Sequence, residues 1–362
     1  MKNNNKFRLD VWGAITLGTI ALYALFLLYP MAYLIRQSVL DPDTGGFTLA
    51  YFTKFFSKSY YFDTLINSFK VSITATVLSI AIGTPLAYLF TIFKIKGKSV
   101  LNILIVVASM SAPFIGAYSW ILLLGRSGVI TAFFKNLGIA IPDIYGFGGI
   151  VLVMTLQLFP LVFLYAKGAL KNIDNSLIEA AENLGCSGIA CFFKVVVPLI
   201  MPTLLAAALL VFMRSFADFG TPMLIGEGYM VLPVLVYNEY MSEIGGNAHL
   251  ASALSVVVVL CSTTVLLVQK YFVSRKNYVM TAMRPPKEEV LHGGKRALVT
   301  LPVMLVTLIG IMPQIVVIVS SFIKSDFTGF KKGFSLGSYI TIFNRLWTNI
   351  RNTFVFSTIA IV

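Results

Sequence analysis

The residues able to do chemistry are few and sit in short polar islands between long apolar runs. Arg214 and Asp218 stand four residues apart within Met213-Arg214-Ser215-Phe216-Ala217-Asp218-Phe219-Gly220-Thr221-Pro222. That spacing puts both on one helix face, where they could pair. Ionisable groups inside an apolar span are costly and face a cavity or a partner. The two therefore read as a structural ion pair near the outer interface or as a contact for something that crosses. Gly220 and Pro222 bend or end the helix there, as a gate or as an exit turn. A second island, Asp174 to Gly185, reads as a short helix. Ser176 and Glu179 have capping-box spacing, Ala180, Ala181 and Leu184 favour helix, and Gly185 suits its end. Ser187 begins another short helix that stops before Pro198, completing a helix–turn–helix suited to docking. Gly97-Lys98-Ser99 resembles the end of a phosphate-binding loop, but Ile92 stands where that motif requires glycine. His249, at the start of a span, suits a solvated or capping role, and His292 lies in a linker beside two glycines. Cys186, Cys191 and Cys261 form neither a metal-ligand pattern nor a disulfide framework.

The elements that hold these islands are membrane spans. Of 362 residues, 57% are hydrophobic, 13% aromatic and 12% charged. A soluble chain would carry about a quarter charged residues, so most soluble enzyme classes are excluded. Apolar windows of bilayer length run over 12–35, 67–93, 100–124, 148–170, 199–225, 249–272 and 297–323, with an eighth starting near Asn352 and cut by the end at Val362. The first exceeds a signal-peptide core and reads as a retained helix. The net charge of +13 marks cytoplasmic loops, not a nucleic-acid surface. Lys2, Lys6 and Arg8 precede the first span, Lys94, Lys96 and Lys98 follow the second, and Lys167 and Lys171 end the fourth. Lys270, Arg275, Lys276, Arg284, Lys287, Lys295 and Arg296 surround the gap after the sixth, whereas Glu227, Glu239 and Glu243 follow the fifth. This pattern predicts a cytoplasmic N-terminus. Tyr60, Tyr61 and Phe62 suit an interfacial aromatic belt.

The chain also echoes itself. Tyr29-Pro30 with Ser38 resembles Met312-Pro313 with Ser321, and Asn67-Ser68-Phe69 resembles Asn352-Thr353-Phe354. This order predicts a first six-span unit over 1–273, a cytoplasmic linker over 274–296 and an incomplete second unit over 297–362. Parallel repeats of this kind enclose a substrate path at their interface.

In Glu179-Ala180-Ala181, then Gly185, then Val195-Val196-Val197-Pro198, the spacing resembles the cytoplasmic signature of inner-membrane permeases of binding-protein-dependent ABC importers. The resemblance covers roughly Tyr51 to Phe272. It implies an all-α polytopic bundle of the type I importer class, with a core over about 51–272 and a coupling loop over about 171–198. Glu179, Ala180, Ala181, Gly185 and Pro198 would dock into an ABC ATPase dimer. ATP would be used by that partner subunit, with no cofactor and no catalytic residue in this chain. An extracytoplasmic binding protein would deliver substrate, and membrane lipids would surround the bundle in the bacterial inner membrane. Asp218-Phe219-Gly220-Thr221-Pro222 before Leu224-Ile225-Gly226 resembles iron(III)-type permeases, many of which fuse two units. Arg214, Asp218, Gly220 and Pro222 are then candidates for the substrate pathway or gate. Thiamine, phosphonate and polyamine permeases look similar. No metal-ligand cluster stands out in the spans. An ion-gradient-driven transporter, which needs coupling-ion ligands, and a membrane enzyme, which needs a catalytic set, are the competing classes.

Overall fold

The computed structural model describes residues 11–186, 188–242, 246–274, 288–326 and 329–361. Ser187, Glu243 and the charges at Lys2, Lys6, Arg8, Arg275, Lys276, Arg284 and Lys287 lie outside these residues. Helix α1 spans Val11–Ser38, α2 Ala50–Ser57, α3 Ser59–Ile92, α4 Lys98–Ala108 and α5 Pro113–Leu124. Helix α6 spans Val129–Asn136, α7 Phe147–Lys171, α8 Asn175–Asn183 and α9 Gly188–Ala217. Then follow α10 (Gly220–Ile225), α11 (Leu232–Met241), α12 (Ala248–Ser274) and α13 (Gly293–Ser321). A hairpin of β1 (Ile323–Asp326) and β2 (Gly329–Phe334) leads to α14 (Gly337–Arg345) and α15 (Trp347–Ile361). Among the described residues, seven helical segments are long and apolar enough to cross a bilayer.

Helices α3 and α7 cross at the centre. Lipid tails are as apolar as leucine, so association in a membrane relies on close packing of small residues. Ala75, Ser79, Gly83 and Ala87 form such a stripe on α3 and are all buried. At Gly83 a side chain would begin 2.8 Å from Val162 Cβ and 2.9 Å from the Phe159 carbonyl oxygen, so α7 approaches the α3 backbone directly. Phe90 and Phe163 meet edge to face at 5.2 Å one turn further on. Helix α13 packs on α4 and α5, and its Gly310 lies against the Phe159 ring. Helix α1 touches the bundle along α12 and leaves Trp12, Phe26 and other apolar side chains outward, as a lipid-facing helix does. There His249 is not a cap. Its Nδ1–H donates to the Gln37 carbonyl at 2.9 Å and its ring stacks on Tyr51, tying α12 to α1 and α2.

The structure redraws several spans. The third predicted window, 100–124, is two helices, because Pro113 drives Ala112 into an extended conformation (ψ 140°) and α4 ends at Ala108. The fifth stops at Ala217 instead of Ile225, the seventh begins at Gly293, and the last helix begins at Trp347. Pro198 does not end a short helix: α9 runs through it, by way of a π-helical turn over Phe192–Val196. A proline ring clashes with the carbonyl four residues back, here Lys194, and the widened turn falls on that carbonyl. In α1 the π-helical turn over Ala24–Leu28 stands in the same register to Pro30.

An order of elements recurs. Thr48 N–H donates to the Val39 carbonyl at 2.8 Å after α1, and Ser335 N–H to the Phe322 carbonyl at 2.9 Å after α13. Each closed loop enters a short helix, α2 or α14, and then a longer one, α3 or α15.

Candidate functional site

Two helix breaks meet in mid-bundle. The first, Ser109 to Ala112, separates α4 from α5; the second, Asp218 and Phe219, separates α9 from α10. Between them and the middle of α7 lies a cavity of about 470 Å³, lined in part by Ser109, Ser111, Gln157, Arg214 and Asp218. Broken helices free backbone groups, which is tolerated at membrane depth only where protein or a water-filled cavity receives them. Here Gln157 Nε2 donates to the Ser111 carbonyl at 3.1 Å. From α13, Gln314 Nε2 reaches the Val107 and Ala108 carbonyls at 3.4 and 3.3 Å.

Arg214 and Asp218 both line this cavity, yet no ion pair joins them. The shared helix face expected from their spacing does not exist, because the helix ends at Ala217 and Asp218 is extended (ψ 124°). Each charge is instead placed by a helix end of opposite polarity. Arg214 occupies the last turn of α9, where carbonyls point outward. Asp218 Oδ1 accepts from the Gly220 N–H at 2.9 Å and from the Thr221 N–H at 3.5 Å at the start of α10. Gly220 is needed for packing: a side chain there would begin 3.2 Å from Pro113 Cβ and 3.3 Å from the Phe114 ring. Phe114 lies edge to face on Phe219, so two rings wall one side of the cavity, and Phe219 stacks in turn on Tyr237. Pro222 is buried inside α10, with Gly226 N–H bonded to its carbonyl.

Asn67 and Ser68, noticed in the sequence only as part of a repeat, position the segment after α10. Asn67 Nδ2 donates to the Met230 carbonyl at 3.1 Å, and Ser68 Oγ accepts from the Leu232 N–H at 2.8 Å. At the far end from α8, Arg126 bridges Asp143 (3.2 Å) and Glu227 (2.7 Å).

The second site is the α8 segment. Its cap is Asp174, whose carboxylate accepts from the Ser176 N–H at 3.0 Å; the expected Ser176–Glu179 capping box is not formed. Asp is as strong a cap as Ser, and Glu179 is engaged instead by Asn175 Nδ2 one turn back. Gly185 ends the helix at φ +84°. Its N–H donates to the Glu182 carbonyl at 2.9 Å and the Cys186 N–H to the Ala181 carbonyl at 3.0 Å, the bond pair of a Schellman stop. Glu179 and Ala180 are exposed, Ala181 is half-buried, and Leu184 and Ile189 stand 89% and 78% exposed beside them. Pro198 lies further along α9 and is exposed. A short, stiff, apolar-tipped helix thus projects from one end of the bundle.

The family model for the inner membrane component of binding-protein-dependent transport systems matches residues 46–278. The chain belongs to this family. A ferric transport system permease protein of Actinobacillus pleuropneumoniae is 26% identical over 293 residues, 80% of this chain and 42% of that one. A spermidine/putrescine transport system permease protein of Haemophilus influenzae is 30% identical over 264 residues, 70% of this chain and 89% of that one. The chain spans less than half the length of the ferric transport relatives that it matches. A bacterial ABC transporter structure involved in alginate import superposes with TM-score 0.61 at 15% identity, over 73% of this chain and 95% of that one. The fold is therefore that of ABC importer permeases. Family members are multi-pass components of the inner membrane.

Proposed function

We propose that this family member forms the transmembrane path of an ATP-driven importer and moves ferric iron into the cytoplasm. The observation that carries the reading is the pairing of a polar cavity at two helix breaks with an exposed, Schellman-ended helix at one end of the same bundle. Glu179, Ala180, Ala181 and Gly185 would dock in a groove of a separate ATPase dimer, where ATP is bound and hydrolysed, with Pro198 at the root of the loop. Movement of that pair would rock the bundle and expose the cavity to one side at a time. Arg214, Asp218, Gly220 and Pro222 would form pathway and gate, loaded from outside by a binding protein. The lysine-rich end, with Lys94, Lys98 and Lys171, would face the cytoplasm, as would the N-terminus.

The two-unit reading, 1–273 and 297–362 about a linker, is supported by the recurring order of helix, closed loop, short helix and longer helix. It favours the ferric relatives, whose length is more than twice the matched stretch, as the nearer functional kin. The cavity adds chemistry. A fixed Arg214 charge opposes a bare trivalent cation, so iron would cross together with anionic oxygen ligands that Arg214 can meet. Polyamine import is the second reading, supported by the 30% identity to the spermidine/putrescine permease. Labelled iron(III) uptake under iron limitation, in native cells with and without the gene, tests the choice. Selective loss restored by the intact gene supports ferric transport. Unchanged iron uptake with lost putrescine uptake moves the assignment to polyamines.

A further inference from the structure

At the same end of the bundle as α8, a cavity of about 750 Å³ opens between α3, α4 and α7. Three ammonium groups converge on it: Lys98 from the start of α4, and Lys167 and Lys171 from the last turns of α7. Lys167 is half-buried. It lies over the Phe90 ring at 4.8 Å and the Phe163 ring at 5.6 Å, and donates to Asn102 Oδ1. Lys98 also lies over Phe90, at 5.3 Å. Like charges gathered on an aromatic floor repel one another, so the arrangement calls for an anion. Among the described lining residues one carboxylate answers: Glu288, whose Oε1 is 2.6 Å from Lys98 Nζ. It comes from the segment ahead of α13, which is held to the end of α3 by Glu289 N–H to the Ile92 carbonyl (2.8 Å) and Lys94 N–H to the Glu289 carbonyl (2.9 Å).

We propose that this cavity binds a phosphate-bearing anion, an anionic lipid headgroup or free phosphate, and that Glu288 is the internal anion it competes with. Basic pockets between membrane helices recognise lipid headgroups by such charges. Ser99 and Asn102 at the cavity wall supply neutral hydrogen bonds to phosphate oxygens. Binding would detach Glu288 from Lys98 and loosen the segment that leads into α13.

The test uses the full chain in lipid nanodiscs. Native mass spectrometry reads retention of phosphatidylglycerol over phosphatidylcholine, and equilibrium dialysis in phosphatidylcholine discs reads binding of radiolabelled inorganic phosphate. Lys98→Gln and Lys171→Gln should each weaken binding about fivefold, and Glu288→Gln should strengthen it. Lys167 is left in place because it packs on two buried rings. Retention of phosphatidylglycerol with this variant pattern identifies a lipid headgroup. Phosphate binding with the same pattern and no lipid preference identifies the free anion. Equal binding of both probes by the parent and by the Lys98→Gln/Lys171→Gln double variant overturns the site. Unchanged binding by Glu288→Gln, a surface change that leaves packing intact, overturns the competition.

Discussion

Gly185 offers the sharpest separation of folding from coupling. Its φ of +84° is a conformation that residues with a Cβ rarely adopt, yet a Cβ built there meets nothing within 4 Å. Replacement is therefore penalised by local backbone energy alone, about 1–2 kcal/mol for alanine. That is a factor of about 5 to 30 in the population of the Schellman turn. Leu184 and Ile189 stand in solvent, so loosening the turn removes no core contact. Gly185→Ala should thus insert and purify normally while transport falls several-fold. Gly185→Val, β-branched, should fall further, and Gly185→Asn, which tolerates the left-handed region, should retain most transport. The assay is substrate uptake per membrane-inserted copy, alongside ATP hydrolysis by the assembled transporter. Wild-type uptake by Gly185→Val at equal membrane level would refute the docking role given to this turn.

Gly83→Leu places carbon atoms inside Val162 and the Phe159 carbonyl; overpacking of this kind costs about 1–3 kcal/mol, read as a lowered unfolding temperature in detergent. Asp218→Ala removes the acceptor for the Gly220 N–H and should lower stability by about 1 kcal/mol, a cap loss. Arg214→Gln should leave the unfolding temperature unchanged and alter uptake, since Arg214 is exposed to the cavity. Asp41 accepts from the Asp43 N–H and the Thr44 hydroxyl, which hold its carboxyl below the ordinary value. A lowered folded-state pKa means that the loop's stabilisation is complete above the ordinary carboxylate value and is lost as pH falls through the lowered one. Amide protection at Asp43 and Gly46, measured relative to intrinsic exchange, should therefore be full at pH 6 and fall in strong acid, whereas in Asp41→Asn the protection should not change with pH.

What was readable in the sequence, and what was not, follows from the range of the forces. Apolar windows mark spans because bilayer thickness acts on each helix separately, and the α7 window was off by only a residue at each end. Gly185 was legible as a stop because its conformation is a local demand. Pro113 was visible too, but its effect on Ala112 was outweighed by the apolar run across it, and the α4–α5 break was missed. Arg214 and Asp218 show the limit of spacing rules. Four residues imply a shared face only if the helix continues, and this one ends between them at Ala217. The stripe Ala75, Ser79, Gly83 and Ala87 was present at regular spacing; hydropathy counts small residues as neutral, so it carried no signal until α7 was placed against it. The Lys98–Lys167–Lys171 cavity joins elements about 70 residues apart in the sequence. Its lysines were legible only as flanks of separate spans.

The most direct measurement is uptake of labelled substrate after ATP is depleted while the membrane potential is held constant. The coupling account predicts that uptake stops with the loss of ATP. Continued uptake driven by the potential alone would contradict it and place the chain among ion-gradient-driven transporters.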